Sequence, residues 1–279
     1  MRPTPLLCAF ALVLVGCQQN PYTFRYSDPA GTVVNYKFEL TAKSDPSGVK
    51  DPKTWPKRLL EPSSMDVSGT MTIKVDAADD KRITVKSWSK PGTAVGTGFG
   101  KGDAADYIAK GIEYQEYDVD QQRKFLRQDS VQDPMTNTLN GLFPKEPVRV
   151  GDKWEYKPFP QDVPAKATFQ KMEAVAGVDA AKIYIDVPSG TSGKTHMIAW
   201  IDPKNGRLVK AEIVSVVDQD GMKFHSTFTQ TMDASVEPVS DEEYKKQEAE
   251  FKRKEEEEQK KRAAAAPKPG DKPKETAGR

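Results

Sequence analysis

Cysteine and histidine are almost missing from this chain, with two of each. Two cysteines exclude a disulfide-dense mini-domain and a cysteine-based structural zinc site. Two histidines leave little room for His-rich metal chemistry. Charge of one sign is not in surplus either, because 42 Lys and Arg against 41 Asp and Glu leave a net charge of +1. A generic nucleic-acid binder needs a basic surplus to neutralise phosphate, so that class is excluded. No GxSxG, HExxH or activated-cysteine arrangement is present. At 37% hydrophobic and 30% charged over 279 residues, the chain is more polar than a typical globular domain. Part of it is therefore expected to stay outside any core.

The longest apolar run is Leu6–Val15, ten residues that are too few to span a bilayer but right for the hydrophobic region of a secretory signal. Arg2 and the α-amine supply the preceding positive charge, although Pro3 and Pro5 are unusual there. The tetrad Leu14-Val15-Gly16-Cys17 looks like the lipobox of bacterial lipoproteins. That resemblance implies that Cys17 is diacylglycerated, that cleavage occurs before it, and that the new amine is acylated. Several acyl chains together give stable anchoring, at about 0.8 kcal/mol per buried CH₂. Cys8 lies inside the signal and is discarded with it, so disulfides play no part. Gln18, where an Asp would signal retention, resembles an outer-membrane sorting choice in the Gram-negative pattern.

Composition then divides the mature chain. Residues 17–239 read as a globular β domain, 240–266 as a charged helix and 267–279 as a disordered tail, after a signal peptide over 1–16. In the helix, Ser240 is a cap, acids occupy the first turn, and acid-to-base pairs such as Glu248–Lys252 recur at i,i+4. Pro267 stops it. Only Tyr244 and Phe251 could dock on anything, so no coiled-coil seam exists. The segment is either a solvated, dispensable tail or an arm that touches the cell wall or an envelope partner.

The globular part is dominated by period-two alternation. Val34, Tyr36, Phe38, Leu40 and Ala42 alternate with Asn35, Lys37, Glu39 and Thr41, and Met71, Ile73 and Val75 repeat the pattern. Turn signals at Asp76–Asp80, Asp202–Gly206 and Asp220-Gly221 join the runs into hairpins. The count is about ten strands between Tyr22 and Pro238, in an antiparallel meander. Asp133-Pro134 starts a short helix whose apolar stripe is Met135, Leu139, Leu142 and Phe143, ended by Pro144. Thr41–Ser64, rich in Pro and Gly, reads as a wandering surface loop.

A mainly antiparallel β chain behind a lipobox, with one mid-chain apolar helix, resembles the LolA/LolB/LppX-like lipoproteins. The phrase from Phe143 to Trp154 (FPKEPVRVGDKW) is similar to an LP…V.VGD.W signature of secreted lipoproteins. The resemblance implies a curved sheet or half-barrel whose mouth is plugged by helices and whose cavity takes an acyl chain or a lipidated partner. Shared architecture does not by itself carry function across.

The remaining motifs dissolve on inspection. Ser189–Thr195 ends in Gly-Lys-Thr, but Pro188 stands where a phosphate loop needs its first glycine, and a strand follows. Asp218–Gly221 has a fragment of a calcium loop without the distal Glu and reads as a turn. His196 and His225 lie on different strands without convergent partners. From Gly92 to Gly102, Gly or Ala holds every even position, including Gly96, Gly98 and Gly100. As a strand this would have one bare face, either a bend in a curved sheet or a cavity wall that lets an acyl chain approach. The helix stripe is either core or a mobile lid over that cavity. The expectation is a lipid-anchored protein of the bacterial envelope at the outer membrane, binding a hydrophobic ligand without catalysis, cofactor or nucleic acid. The alternative is an interaction lipoprotein with a filled core.

Overall fold

A computed structural model describes residues 20–98, 113–126, 134–159, 163–188 and 193–265. The lipobox (Leu14, Val15, Gly16, Cys17), Gly100 and the residues after Ala265 lie outside the described residues. The fold is one curved, open antiparallel sheet of ten strands. The strands are β1 (Val33–Asp45), β2 (Ser63–Ala78), β3 (Ile83–Thr97), β4 (Glu113–Val119), β5 (Lys153–Tyr156), β6 (Ala165–Val175), β7 (Val178–Pro188), β8 (Gly193–Ile201), β9 (Leu208–Gln219) and β10 (Met222–Met232). Among the described residues, two α-helices accompany them, α1 (Pro134–Thr138) and α2 (Asp241–Ala265).

The spatial order is β4-β3-β2-β1-β10-β9-β8-β7-β6-β5. Two meanders, β1 to β4 and β5 to β10, are therefore stitched together where the first strand pairs with the last, and β4 and β5 are the outermost strands, with Phe125 and Leu126 bonding the end of β4. The hairpins form for local reasons. Asp79 Oδ1 accepts from the backbone N–H groups of Lys81 and Arg82, both at 2.8 Å, and closes the β2–β3 turn. Gly206 donates to Asp202 O at 2.8 Å in the β8–β9 turn, and Gly221 donates to Asp218 Oδ1 at 3.0 Å in the β9–β10 turn.

Three boundaries differ from the sequence reading. Thr41–Asp45 is strand, because its backbone pairs with both β2 and β10, and the loop is confined to residues 46–62 with short 3-10 turns at Pro52–Thr54 and Lys57–Leu59. The mid-chain helix is one turn and does not run on to Phe143. Asn140 Oδ1 accepts from Phe125 N at 2.6 Å, and Gly141 N turns to Arg123 O at 3.1 Å, so the chain leaves the helix to pair with the 122–125 segment. The glycine stripe also ends early. β3 stops at Thr97, and Gly98 sits at φ +61° in a turn.

The core lies on the concave face. Ile183 and Ile185 of β7, Met197 and Ala199 of β8, Phe169 of β6 and Val85 of β3 are all fully or almost fully buried in one cluster. The segment before β1 crosses this face, bridging Tyr22 to Val148 and bonding Gly31 and Thr32 to Val75 of β2. Phe24 packs on Phe143 and Phe169 with ring centroids 5.9 and 5.6 Å apart. Burying side chains of this size contributes about 1.5–3 kcal/mol each.

On the convex face, α2 docks by its first two turns. Ser240 caps it, with Glu243 N donating to Ser240 Oγ at 3.3 Å. The Tyr244 ring lies 4.4 Å from that of Trp88, whose side chain is 2% exposed. Lys86 bridges Asp76 at 3.1 Å and Glu248 at 3.4 Å. Burial pulls the Lys86 ammonium down, but hydrogen bonds to Tyr244 and Asp76 outweigh it and hold its pKa above the ordinary lysine value.

Candidate functional site: the concave face

Strand pairing fixes which residues share the concave face, since directly opposed residues point the same way. One row runs through Val67, Leu40, Phe228, Ile213, Met197 and Ile185, and the last four of these belong to or pack against the core. The next row towards the open end runs through Gly96, Met65, Ala42, Ser226, Ser215 and Thr195, on β3, β2, β1, β10, β9 and β8. Every member of this second row is half-buried, as are Leu40, Phe224 and Val217 beside it. The same face thus passes from a filled core of Ile, Phe and Met to a shallow trough floored by small side chains. Five inter-strand gaps at about 4.8 Å make the trough about 24 Å long.

Gly96, a candidate for a cavity wall, lies on the concave face opposite Met65. Gly98 is not part of the wall. A Cβ at Gly98 would lie 2.8 Å from Ser63 Cβ, and its φ of +61° disfavours any L side chain. A bulky residue there would distort the β2–β3 pairing rather than fill a cavity.

The helix stripe is core. Met135, Leu139, Leu142 and Phe143 are 2%, 2%, 0% and 3% exposed. Two aromatic donors clamp the segment to the sheet. Trp154 Nε1 donates to Leu142 O at 2.7 Å, and Tyr156 OH donates to Thr138 O at 2.7 Å. This explains the Phe143–Trp154 phrase. Gly151 sits at φ +96° and its N–H donates to Phe169 O at 2.7 Å. Asp152 accepts from Arg149 N at 2.7 Å through Oδ2 and from Phe169 N at 3.0 Å through its carbonyl. These residues hold the 134–143 segment, which plugs the concave face, close to β6.

Below the trough, a chamber of about 20 Å³ lies between β1, β2, β10 and α1. That is room for about one water molecule. Its wall is polar on one side. Asp28, 2% exposed, takes a bidentate pair from Arg207, with Nε at 3.0 Å and Nη2 at 2.6 Å. Tyr36 OH donates to Leu208 O at 2.8 Å, and burial pushes its phenol, like that of Tyr26, well above the ordinary tyrosine value. Arg123 lies over the Tyr26 ring at 4.8 Å. Sequence reading missed this cluster because Asp28 and Arg207 are 179 positions apart and nothing local marks either as buried.

Among the described residues, no three His, Cys, Asp or Glu side chains come together as a metal site. His196 stacks on Tyr184 at 5.9 Å, and His225 is exposed. Among the same residues no helix is long and apolar enough to cross a membrane.

No family profile matches the chain, and no curated protein matches it. Among solved structures, the S-type phycobiliprotein lyase CPES from Guillardia theta is similar over 74% of this chain and 90% of its own, at 10% identity and a TM-score of 0.31. A domain described as an outer membrane lipoprotein-sorting protein from Vibrio parahaemolyticus is similar over 73% of this chain and 87% of its own, at 10% identity and a TM-score of 0.16. Likeness at this level transfers neither a site nor an activity.

Proposed function

We propose that this is a lipid-anchored protein of the bacterial envelope, attached through Cys17 at the outer membrane, that holds an acyl chain in the concave trough without catalysis. The observation that carries the reading is the change along one face of the sheet from closed core to a half-exposed row of small residues. A membrane leaflet is about 15 Å of hydrocarbon, half of a core about 30 Å thick, so a trough of about 24 Å accommodates one lipid chain. Binding would come from apolar burial against Leu40, Met65, Phe224 and Val217, with Ala42, Gly96, Ser215 and Ser226 leaving the room. The chamber lined by Tyr36 and Gln230, at about 20 Å³, is too small for a chain.

The test is native mass spectrometry of the full chain purified from bacterial envelopes, with lipid extraction. A stoichiometric lipid beyond the covalent anchor, lost in Ala42→Phe while the circular dichroism spectrum is retained, supports the reading. A mass with the anchor alone refutes it.

A second reading has its own observation. The plug is clamped, and the chamber beside it has room for only about 20 Å³. A filled β domain that presents α2 to an envelope partner fits that equally. The anchor-only mass is the outcome that favours it.

A further inference from the structure

We propose that the convex face of the sheet, at the open end of β1, β2, β3 and β10, carries a binding site for a phosphate group. The register aligns Thr97, Ser64, Lys43 and His225 in one cross-strand row, with Asp45 opposite Lys223 one step further out. These six residues border an open pocket of about 440 Å³. By strand alternation they point away from the face that holds Ala42, Met65 and Gly96, so this site is independent of the trough.

The chemistry at the pocket is that of an oxyanion receptor. Among the described residues, the side chains of Lys43, Lys223 and His225 make no ion pair or hydrogen bond, although the Lys223 charge, opposite Asp45, favours that carboxylate. The one carboxylate, Asp45, is committed to its own turn and accepts from Ser47 N at 2.9 Å. That bond holds its pKa below the usual carboxylate value. Two lysine charges therefore face one carboxylate that is already engaged. One hydroxyl pair supplies a directional donor: Ser64 Oγ and Thr97 Oγ1 are 3.0 Å apart, so one proton is used between them and the other is left to give to an acceptor. Point-charge lysines with rotatable hydroxyls suit a phosphate, and the bonds to it would be charge-assisted. A lipid headgroup and free phosphate share this chemistry.

The two histidines of the chain make the test clean. His225 borders the pocket, and His196, stacked on Tyr184, is the internal control. The full chain in nonionic detergent is titrated with inorganic phosphate and, separately, with glycerophosphoglycerol, at constant pH and ionic strength, while the histidine ring carbons are followed by NMR. The site predicts a saturable shift of His225 with His196 stationary, and a loss of affinity of about tenfold or more in Lys43→Ala/Lys223→Ala with unchanged thermal midpoint. Saturation by phosphate alone assigns a free phosphate, and tighter saturation by the diester assigns a headgroup. No saturable shift with either compound, or equal movement of both histidines, overturns the proposal.

Discussion

Truncating Leu142 separates a plug that is core from one that opens. Leu142 is 0% exposed, packed in the same cluster as Phe24 and Phe143, and its carbonyl takes the Trp154 indole proton. Leu142→Ala removes three carbon groups at about 0.8 kcal/mol each, about 2.4 kcal/mol of transfer free energy. The cavity left behind carries the total into the range of about 2–5 kcal/mol. With a urea dependence of about 2–3 kcal/mol per molar for a domain of this size, the unfolding midpoint falls by about 1 M or more. Leu126→Ala is the control, because Leu126 is 51% exposed and its truncation costs about 0.5 kcal/mol or less. Urea unfolding of both variants, followed by tryptophan emission, is the assay. If Leu142→Ala unfolds at the same urea concentration as Leu126→Ala, the plug is outside the cooperative unit and the filled-core argument fails.

Three further outcomes follow from the contacts. Hydrogen bonds from Lys171 and from Trp200 hold the Glu173 carboxyl down at about 2; a depressed carboxyl stabilises the fold above its unfolded value of about 4.3, and that contribution is lost as pH falls towards 2. Thermal midpoints measured from pH 5 to pH 2 should therefore fall less steeply in Glu173→Gln, by an amount equivalent to about 1 kcal/mol at most for so exposed a pair; identical slopes would remove the assignment. Tyr244→Ala takes the ring off Trp88 and should speed hydrogen exchange in the first two turns of α2 and raise acrylamide quenching of tryptophan, with unchanged values counting against the docking. Gly151 has φ +96° and open space where a Cβ would go, so Gly151→Ala should cost only the backbone penalty of about 1–2 kcal/mol, and a loss above about 3 kcal/mol would show that the turn is crowded after all.

Much of the sheet is legible because its signals are local. The alternation over Val34–Ala42 is β1, and Asp79, Asp202 and Asp218 each close the hairpin that their Asp-rich turns announce. β4, β5 and β6 give weaker signals. In Glu113–Val119 only Glu116 and Asp118 put charges on the face away from the core, and Lys153–Tyr156 is only four residues long. The trough is half legible. The even-numbered glycines do reach the concave face at Gly96, but a period-two pattern cannot reveal that the chain turns at Gly98. The Asp28–Arg207 pair and the Trp154–Leu142 clamp are products of tertiary approach, and sequence carries no trace of them beyond residue type.

The seam between β1 and β10 sets the order in which the protein can mature. Tyr36 finds its partner at Met232, almost the full length of the β domain away. Each meander can zip from its own turns, but the middle of the sheet stays unpaired on both sides until the last strand arrives. A chain threaded N-terminus first across a membrane would carry β1 with one raw edge for the whole of its passage. Such an edge is the kind of template that chaperones guard and that neighbouring chains capture. The step that joins the two meanders is thus the pairing of β1 with β10, and truncations that remove β10 should yield aggregates rather than a smaller sheet.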